Sequence, residues 1–468
     1  LWVYNLHYFG DLVAVGANER AEWQRALMLR WVQENPPATG TGWEPYPASL
    51  RIVNWIKWAL AGNELPAPCL HSVAVQVRWV AKRLEWHLLG NHLFVNAKAL
   101  VMAGLFFDGP EAERWLRTGE RILREQIPEQ VLADGGQFER SPMYHALALE
   151  DMLDLSNALR AFRDALPGDL RSLSERLERQ VNERVQPMRH WLAVMSHPDG
   201  EISFFNDAAI GIAPSNQQLD SYARRLGFAD QAPIADGLVH LKQSGYIRLQ
   251  RGPAVAMLDV APVGPDYLPG HAHADTLSFE LSLHGARVVV NSGTSVYGSG
   301  AERLRQRGTA AHSTVVVNDA DSSEVWGGFR VARRARPHSL TVVARLDGAS
   351  VACSHDGYRR LPGSPDHRRE WQLHDGVLTV TDGVRGARSA RARWHFAPGV
   401  VVAPQPSATP SSFVCTLPCG RSATLAIHGA ACRIQPSTFH PQFGLSLPAT
   451  LLDCTFTGAA CSARISWS

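Results

Sequence analysis

Apolar positions in the first half of the chain recur at helical spacing. Stretches such as "SVAVQVRWVAKRLEWHLL", "LFVNAKALVMAGLFF" and "HALALEDMLDLSNALRAFRDAL" place their apolar residues on one helix face. Gly, Asp and Pro residues separate the stretches, as in "DGP" at 108–110 and "LPGD" at 166–169, which is typical of short connections between antiparallel helices. This half is predicted to be a stack of helical hairpins.

The pattern changes to period two after a stretch rich in Pro, Gly and Asn at 198–240. Short alternating or apolar runs follow, among them "YIRLQRGPAVAMLDVAP", "TLSFELSLHGARVVVNSG" and "REWQLHDGVLTVTDGV", bounded by Gly, Asp and Asn. This spacing is typical of antiparallel strands. We therefore predict a multidomain α+β protein, with a helical domain over residues 1–225 and an antiparallel β-sandwich over residues 226–468.

Composition and charge narrow the class of partner. Of 468 residues, 45% are hydrophobic and 19% are charged, which is ordinary for a folded globular protein. The formal net charge of +2 comes from 46 basic and 44 acidic residues, so no global field favours nucleic acid or a membrane surface. No apolar run approaches the roughly 18 residues of a membrane span. An anionic partner would have to bind at a local patch of basic residues.

Cysteine usage and the start of the sequence leave the cellular compartment open. The seven Cys residues form no CxxC pair, which predicts buried free thiols, with one or two disulfides as an alternative. The first residues, "LWVYNLHYFGDL", show no signal-peptide pattern.

Three polar residues alternate in "GHAHADTLSFEL" at 270–281, just before an apolar strand. In an extended chain His271, His273 and Asp275 point to the same face. A metal site, a proton-transfer site and a solvated strand entrance all remain open at this point.

Further candidate residues lie at two predicted helix starts and in one long loop. "GNHLFVNAKAL" places Asn91 and His92 at a helix start, and "GGQFERSPMYH" places Tyr144 on the first turn of another. Helix capping and core packing explain such residues equally well. The third feature is a loop that follows a strand at Asn291 and ends at His312. A loop of this length in a β-sandwich usually has a function.

Five motifs carry a resemblance to the heparinase II/III-like polysaccharide lyases over nearly the whole chain. They are "GWEPYPASLRIVNWIKW" at 42–58, "GNHLFVNAKAL" at 90–100, "GGQFERSPMYH" at 135–145, "GHAHADTLSFEL" at 270–281 and "RGTAAHSTVVVN" at 307–318. The resemblance implies an incomplete (α/α) toroid followed by an antiparallel β-sandwich, with the active cleft between them.

The resemblance also implies a reaction, β-elimination next to a uronic acid. A base removes the C5 proton, an acid protonates the leaving O4, and donors neutralise the carboxylate. Asn91 and His92 match the family's carboxylate clamp. Tyr144 matches its catalytic Tyr, the acid and, for one stereochemistry, also the base. His271 matches the base or its helper for the other stereochemistry.

Substrate contacts are expected near these residues. Glu139 and Arg140 closely precede Tyr144, and the long loop supplies Tyr297, Arg303 and Arg307. For the Arg residues a solvated surface role is the alternative. The expected partner is an anionic polysaccharide containing uronic acid, glycosaminoglycan-like or a bacterial exopolysaccharide, and a periplasmic or secreted location is favoured.

A structural divalent metal ion, zinc, is expected from the resemblance as well. The implied ligands are His273, His312 and the residue at 291, where the family has Asp and this chain has Asn291. Because a neutral amide is the weaker zinc ligand, affinity should fall, or Asp275 should replace it.

Two other classes of function remain. A glycoside hydrolase would need two carboxylates about 5–10 Å apart, and no spacing singles out a pair among Asp134, Glu139 and Asp207. A polysaccharide-binding or assembly protein without catalysis would keep only aromatic platforms. The 14 Trp residues, among them Trp43, Trp55 and Trp58, suit sugar stacking in every case.

Overall fold

The computed structural model describes residues 2–405, 411–457 and 460–468. Its helices are α1 (Trp2–Asn5), α2 (Ala21–Glu34), α3 (Pro45–Leu60), α4 (Ala67–Ala81), α5 (Gly90–Phe106), α6 (Pro110–Gln130), α7 (Pro142–Phe162), α8 (Gly168–Val194), α9 (Asn216–Arg225) and α10 (Ala301–Arg307). No helix within those ranges is both long and apolar enough to cross a membrane.

The strands follow the first nine helices. They are β1 (Gly237–Leu241), β2 (Tyr246–Arg251), β3 (Ala254–Asp259), β4 (Phe279–Leu283), β5 (Ala286–Val289), β6 (Val315–Val317), β7 (Val325–Gly327), β8 (Arg330–Val331), β9 (Pro337–Arg345), β10 (Gly348–His355), β11 (Asp366–His374), β12 (Val377–Arg385), β13 (Ala390–Phe396), β14 (Val401–Pro404), β15 (Ser411–Thr416), β16 (Ser422–His428), β17 (Ala431–Phe439), β18 (Leu447–Phe456) and β19 (Ala460–Trp467).

The order of elements confirms the predicted fold class, helices first and antiparallel strands afterwards. The chain divides into two compact units, one of residues Leu1–Val131 with Glu150–Val185 and one of Leu132–Leu149 with Gln186–Ser468. The domain boundary after residue 225 stays a prediction, although α9 ends at Arg225 and β1 begins at Gly237. Each unit is described by itself below.

The first unit is built on α5, which is apolar on nearly all sides and therefore buried. Glycines let it approach α6 closely. A Cβ atom at Gly104 would lie 2.6 Å from the backbone nitrogen of Leu116, and one at Gly119 would lie 2.7 Å from the carbonyl oxygen of Ala97. The two helices consequently pack backbone to backbone, a contact that larger side chains would prevent.

Opposite charges form a buried cluster inside the first unit. Lys98 Nζ on α5 lies 2.7 Å from Asp151 Oδ1 and 2.7 Å from Asp154 Oδ2, and Lys57 Nζ lies 3.0 Å from Asp154. These opposite charges offset the cost of burying an ammonium group. The pairs tie α3 and α5 to the first unit's part of α7.

Tryptophan residues of the first unit belong to its core. Trp43, Trp55 and Trp58 are exposed by only 3%, 0% and 3%. The Trp58 indole nitrogen donates to Gln24 Oε1 at 2.8 Å, and the guanidinium of Arg51 lies 3.8 Å from the centre of the Trp31 ring. The structure therefore corrects the expectation that these three Trp residues are platforms for sugar rings.

Two large antiparallel sheets make up most of the second unit. The nine-stranded sheet has the order β1-β2-β3-β4-β5-β13-β18-β17 with β6 beside β13, and the eight-stranded sheet has the order β14-β15-β16-β19-β12-β11-β10-β9. Buried and exposed positions alternate along β11 and β12, as expected for strands with one face in a core.

The two sheets contact each other through polar as well as apolar groups. The guanidinium of Arg369 on β11 lies 5.7 Å from the ring centre of Phe279 on β4. The Tyr358 hydroxyl donates to the carbonyl of Val315 on β6 at 2.6 Å. The faces therefore meet as in a β-sandwich.

We predict that Gly104→Ala destabilises the protein, because the added methyl group must displace backbone atoms of α6. Overpacking of this kind typically costs about 1–3 kcal/mol in the free energy of unfolding, measurable as a lower urea midpoint. Gly168→Ala is the matched control, since a Cβ there meets nothing within 4 Å. Equal midpoints for both variants would contradict the proposed close packing.

Candidate active site

Three aromatic rings of the second unit meet at the start of α7. The rings of Tyr144 and His271 lie with their centroids 3.9 Å apart and their planes at 31°. The Tyr144 hydroxyl is 2.9 Å from the Tyr297 hydroxyl. The structure thus brings together two of the predicted catalytic residues and one of the predicted substrate-binding residues.

The sequence "RSPMY" explains how Tyr144 is presented. Ser141 precedes Pro142 at the first helical position, and its Oγ accepts a hydrogen bond from the Tyr144 backbone nitrogen at 3.2 Å. The Ser141 hydroxyl also donates to the carbonyl of Asp207. The first turn of α7 is thereby anchored to the segment that contains Asp207.

His271 lies between two carboxylates. Its Nδ1 is 2.9 Å from Asp207 Oδ2, and its Nε2 is 3.8 Å from Glu139 Oε2. The side chain of His271 is 14% exposed and that of Glu139 only 3%. Glu139 also accepts a hydrogen bond from Gln137 Nε2 at 3.2 Å. Glu139 therefore lies beside the imidazole, mostly shielded from solvent.

Asp207 is the residue that sequence reasoning did not single out, and it occupies the centre of the site. Its fully buried carboxylate contacts His271, the Nε2 of His273 at 2.8 Å, and both terminal nitrogens of Arg303, Nη2 at 2.7 Å. Burial alone would raise the pKa of Asp207. The charge of Arg303 and these hydrogen bonds instead hold that pKa well below its ordinary value, so the carboxylate is ionised.

Arg303 and Arg307 lie inside the protein rather than on a solvated surface, and their predicted contact with substrate stays a prediction. Arg303, besides its pair with Asp207, donates to the Gly328 carbonyl at 3.0 Å and lies 4.9 Å from the Tyr297 ring centre. Arg307 donates to the Ala272 carbonyl at 2.7 Å, and burial lowers its pKa to about 10. Their positions, four residues apart on α10, direct both guanidinium groups inward.

Arg140 is likewise committed to the protein rather than to a ligand. Its guanidinium donates to the carbonyls of Ser244 at 2.9 Å and Gly264 at 2.6 Å. Its own carbonyl accepts from the Tyr246 hydroxyl at 2.8 Å. The backbone at Arg140 is left-handed, with φ at 61°, and this conformation is stabilised by those contacts. The predicted role of Arg140 in substrate binding stays a prediction.

Asn91 and His92 belong to the first unit, where they are half-buried in the first turn of α5. His92 Nδ1 lies 3.1 Å from Glu85 Oε1, and its ring centroid is 4.5 Å from that of Tyr46. Glu85 is itself held by the Asn96 side chain, whose Nδ2 donates to Oε2 at 3.0 Å. The orientation of the His92 ring is thus determined by a hydrogen bond to a carboxylate and by an aromatic neighbour.

The predicted zinc ligands meet only in part. His273 Nδ1 lies 3.3 Å from His312 Nε2, and burial lowers the pKa of His273 to about 4 and that of His312 to about 3, which keeps both imidazoles neutral. Asn291, however, accepts from the Ser313 backbone nitrogen at 3.1 Å and donates to the Ser278 hydroxyl at 3.3 Å.

Asp275 does not take the place of Asn291. Its Oδ2 accepts from the Asn206 backbone nitrogen at 3.0 Å. Across the part of the chain that the structure describes, no group of three His, Cys, Asp or Glu side chains is placed to hold a metal ion. The residues present therefore offer two zinc ligands but not a third, and no chemical step is assigned to a metal.

Two family models match the chain and together cover nearly all of it. The model described as "Heparinase II/III N-terminus" matches residues 14–230, and "Heparinase II/III-like, C-terminal" matches residues 234–468.

Two known proteins of similar sequence have the same name. A "Heparin-sulfate lyase" from Bacteroides stercoris is 27% identical over 331 residues, which cover 66% of this chain and 45% of that protein. A "Heparin-sulfate lyase" from Pedobacter heparinus is 27% identical over 256 residues, covering 49% of this chain and 36% of that protein. The chain thus spans less than half the length of these two relatives.

Solved structures show the same fold. "Crystal Structure of Heparinase III" superposes with a TM-score of 0.77 at 18% identity, covering 97% of this chain and 74% of that one. The heparan sulfate lyase HepC from Pedobacter heparinus superposes with a TM-score of 0.67 at 19% identity, covering 99% and 76%. With both halves matched by family models and the whole fold shared, the chain belongs to the heparinase II/III family.

Proposed function

We propose that this protein is a polysaccharide lyase that cleaves a uronic-acid-containing glycosaminoglycan by β-elimination. The observation that carries the proposal is the contact between Tyr144 and His271, a phenol and an imidazole stacked at 3.9 Å. A phenol can donate a proton and an imidazole can accept one, and both side chains are partly exposed to solvent. The names of the relatives support the same substrate class.

The reaction needs a base that removes the C5 proton and an acid that protonates the leaving O4. In our proposal His271 Nε2 removes the C5 proton, and the electrons of that C–H bond form the C4–C5 double bond. Tyr144 donates its proton to O4 as the C4–O4 bond breaks. This division gives the proton-accepting role to the imidazole lone pair and the proton-donating role to the phenol hydroxyl.

Tyr297 supports the proton donor. Burial, and then the negative charge of Asp207, raise the pKa of Tyr297 well above its ordinary value, so its hydroxyl stays protonated. It can therefore donate to the Tyr144 oxygen at 2.9 Å and stabilise the phenolate that forms there. For the opposite sugar stereochemistry, the same stabilised phenolate would let Tyr144 act as base as well as acid.

Asn91 and His92 are proposed to neutralise the substrate carboxylate. The C5 proton becomes more acidic when donors bind the adjacent carboxylate, because negative charge can then spread into it. The assignment rests on the family motif "GNHLF", and the anchoring of His92 by Glu85 supports it, since an oriented donor stabilises developing charge better than a mobile one.

A hydrolase mechanism is disfavoured by the state of Asp207. Two carboxylates must reach the scissile bond in a glycoside hydrolase. Asp207 is buried and paired with Arg303, which leaves Glu139 as the acidic residue beside His271 in the described part of this site. One available carboxylate suits neither the retaining nor the inverting reaction.

The activity predicts a defined product. Incubation with heparin, heparan sulfate and other uronate polysaccharides should generate a C4–C5 double bond at the new non-reducing end, detected by ultraviolet absorbance. Saturated products that carry oxygen from labelled water would instead indicate a hydrolase. Tight binding without turnover would indicate a binding protein.

Tyr144→Phe should lower kcat by about 10²–10⁴-fold, the usual contribution of a general acid or base. Folding and KM should change little, because the ring keeps its packing against His271 and only the hydroxyl is lost. Steady-state kinetics and thermal melting measure the two effects. Tyr222→Phe, on α9, is the matched control. A near-normal rate in Tyr144→Phe would remove this hydroxyl from the mechanism.

Zinc between His273 and His312 stays a proposal, and the donor set supports weak binding at best. Protein purified without an affinity tag should contain clearly less than one zinc per chain, and chelation should leave Tm unchanged. Asn291→Asp supplies a carboxylate and should retain more zinc in elemental analysis. Stoichiometric zinc in the wild-type protein, with a fall in Tm on chelation, would contradict this expectation.

A further inference from the structure

We propose that Asp207 is the positioning residue that holds His271 in the tautomer required of a base. The inference deepens the proposed function and rests on it. Asp207 does not touch the reacting atoms in this account; it acts through the imidazole.

Hydrogen-bond chemistry sets the tautomer. An ionised carboxylate can only accept, so the His271 Nδ1 that lies 2.9 Å from Asp207 Oδ2 must carry a proton. The neutral imidazole then has its lone pair on Nε2, on the side of Glu139. A base needs that lone pair, and the opposite tautomer would present a proton to the substrate instead.

Backbone contacts hold the same two residues together. The Asp207 backbone nitrogen donates to the His271 carbonyl at 3.0 Å, while the Asp207 carbonyl accepts from Ser141. Asn206 adopts a left-handed φ of 57°, and its Oδ1 accepts from the His273 backbone nitrogen at 3.1 Å. The segment with Asp207 and the segment with His271 are therefore fixed to each other at several points, and the ring cannot turn freely.

Arg303 makes this arrangement stable. A buried carboxylate without a counter-charge would protonate rather than stay ionised. The bidentate pair with Arg303 keeps the charge on Asp207, and the contact with His273 occupies a further acceptor position. The remaining acceptor position on Oδ2 lies toward His271 Nδ1.

The first experiment reads the tautomer directly, without substrate. The full chain is labelled with ¹⁵N-histidine, and long-range ¹H–¹⁵N correlations are recorded, with His271 identified by the signals lost in His271→Gln. We expect the Nδ1–H form. An Nε2–H form would overturn the proposal, and neither result depends on whether the protein is a lyase.

The second experiment tests the role in turnover. Asp207→Asn should lower kcat by about 10²–10⁴-fold with little change in KM, the effect of losing a carboxylate that orients a catalytic imidazole. In a His271→Gln background the same substitution should cost little more. Fully additive losses would overturn the positioning role.

Controls separate orientation from folding. Asp199→Asn removes another carboxylate that pairs with an arginine, Arg287 at 2.6 Å, and should leave kcat unchanged. If Asp207→Asn fails to fold, the NMR tautomer of the wild-type protein still decides the proposal. If no substrate is turned over by the wild-type protein, the proposed function fails while the tautomer result stands.

A second inference rests on a separate observation, two cysteines facing each other on neighbouring strands. Cys432 on β17 is the direct register partner of Cys454 on β18, and their sulfur atoms lie 2.9 Å apart. Both are free thiols, Cys432 half-buried and Cys454 buried. Cβ atoms of directly opposed residues lie about 4.5–5.5 Å apart, at the edge of the range that a disulfide spans.

The geometry points to a cross-strand disulfide between Cys432 and Cys454 that forms with a small-molecule disulfide as oxidant. The Cys432 thiolate attacks the external disulfide and releases one small thiol. The Cys454 sulfur then displaces the second, so that two protein thiols are oxidised and one external disulfide is reduced to two thiols.

The bond would secure an edge strand that leads to the active site. β17 is the last strand of the nine-stranded sheet and pairs with β18 alone. The chain after β17 returns to the site, where the His440 backbone nitrogen donates to the Ser292 carbonyl at 2.7 Å and the Phe443 ring lies 4.8 Å from Tyr297.

Incubation of the full chain with oxidised glutathione should remove two hydrogens from the intact mass, with a Cys432–Cys454 peptide in the digest. Tm should rise by about 4 °C or more, as expected for a disulfide that closes the chain segment between Cys432 and Cys454. Cys432→Ser should abolish both changes, and Cys415→Ser, another strand cysteine, should abolish neither. A Cys454–Cys461 peptide, or no cross-link at all, would overturn the inference.

Discussion

The ion pair between Asp207 and Arg303 is the interaction on which the second unit's candidate site depends. Taking both charges out of water costs several kcal/mol per ion, and only good geometry with additional hydrogen bonds offsets that cost. Here the carboxylate is contacted by one guanidinium and two imidazoles. Because the guanidinium comes from α10 and both imidazoles come from the segment 271–273, the pair also determines where those segments lie.

Hydrogen bonding within the protein also distinguishes residues that can contact a substrate from residues that cannot. Arg140, Arg303 and Arg307 donate to carbonyl and carboxylate groups of the protein, and such groups have few donors left to offer. Tyr144 and His271 differ, because their side chains remain partly exposed to solvent. The candidate site thus places two partly exposed side chains on a support of buried, hydrogen-bonded charged groups.

Sequence reasoning predicted the order of helices and strands well, because hydrophobic periodicity is a local property. The motifs also indicated Tyr144 and His271 correctly as neighbours. The sequence indicated Asp207 only as one of three possible hydrolase carboxylates, because it lies in a Pro, Gly and Asn-rich stretch without periodicity, where an acidic residue normally faces solvent. Nothing local distinguishes a carboxylate whose partner is 96 residues away in the chain.

The burial of Arg303 and Arg307 could not be predicted for a related reason. A loop rich in Arg is usually solvated, and only the short helix α10 turns these two side chains toward the interior. Trp43, Trp55 and Trp58 look the same in sequence whether they stack on sugars or fill a core, since burial depends on neighbours that are distant in the chain. The change from Asp to Asn at 291 was visible in the sequence, but its hydrogen bonds to Ser313 and Ser278 were not.

The separation between Asp207 and Arg303 also has a consequence for biosynthesis. At a translation rate of about 5–20 residues per second, the ribosome needs roughly 5–20 s to add the 96 residues between them. During that interval the nascent chain contains Tyr144, Asp207 and, later, His271, but not the cation that permits the carboxylate to be buried. In a product truncated before α10, the Asp207 carboxylate would have to stay exposed to water or become protonated. An assembled site therefore indicates a chain that has been synthesised beyond residue 303.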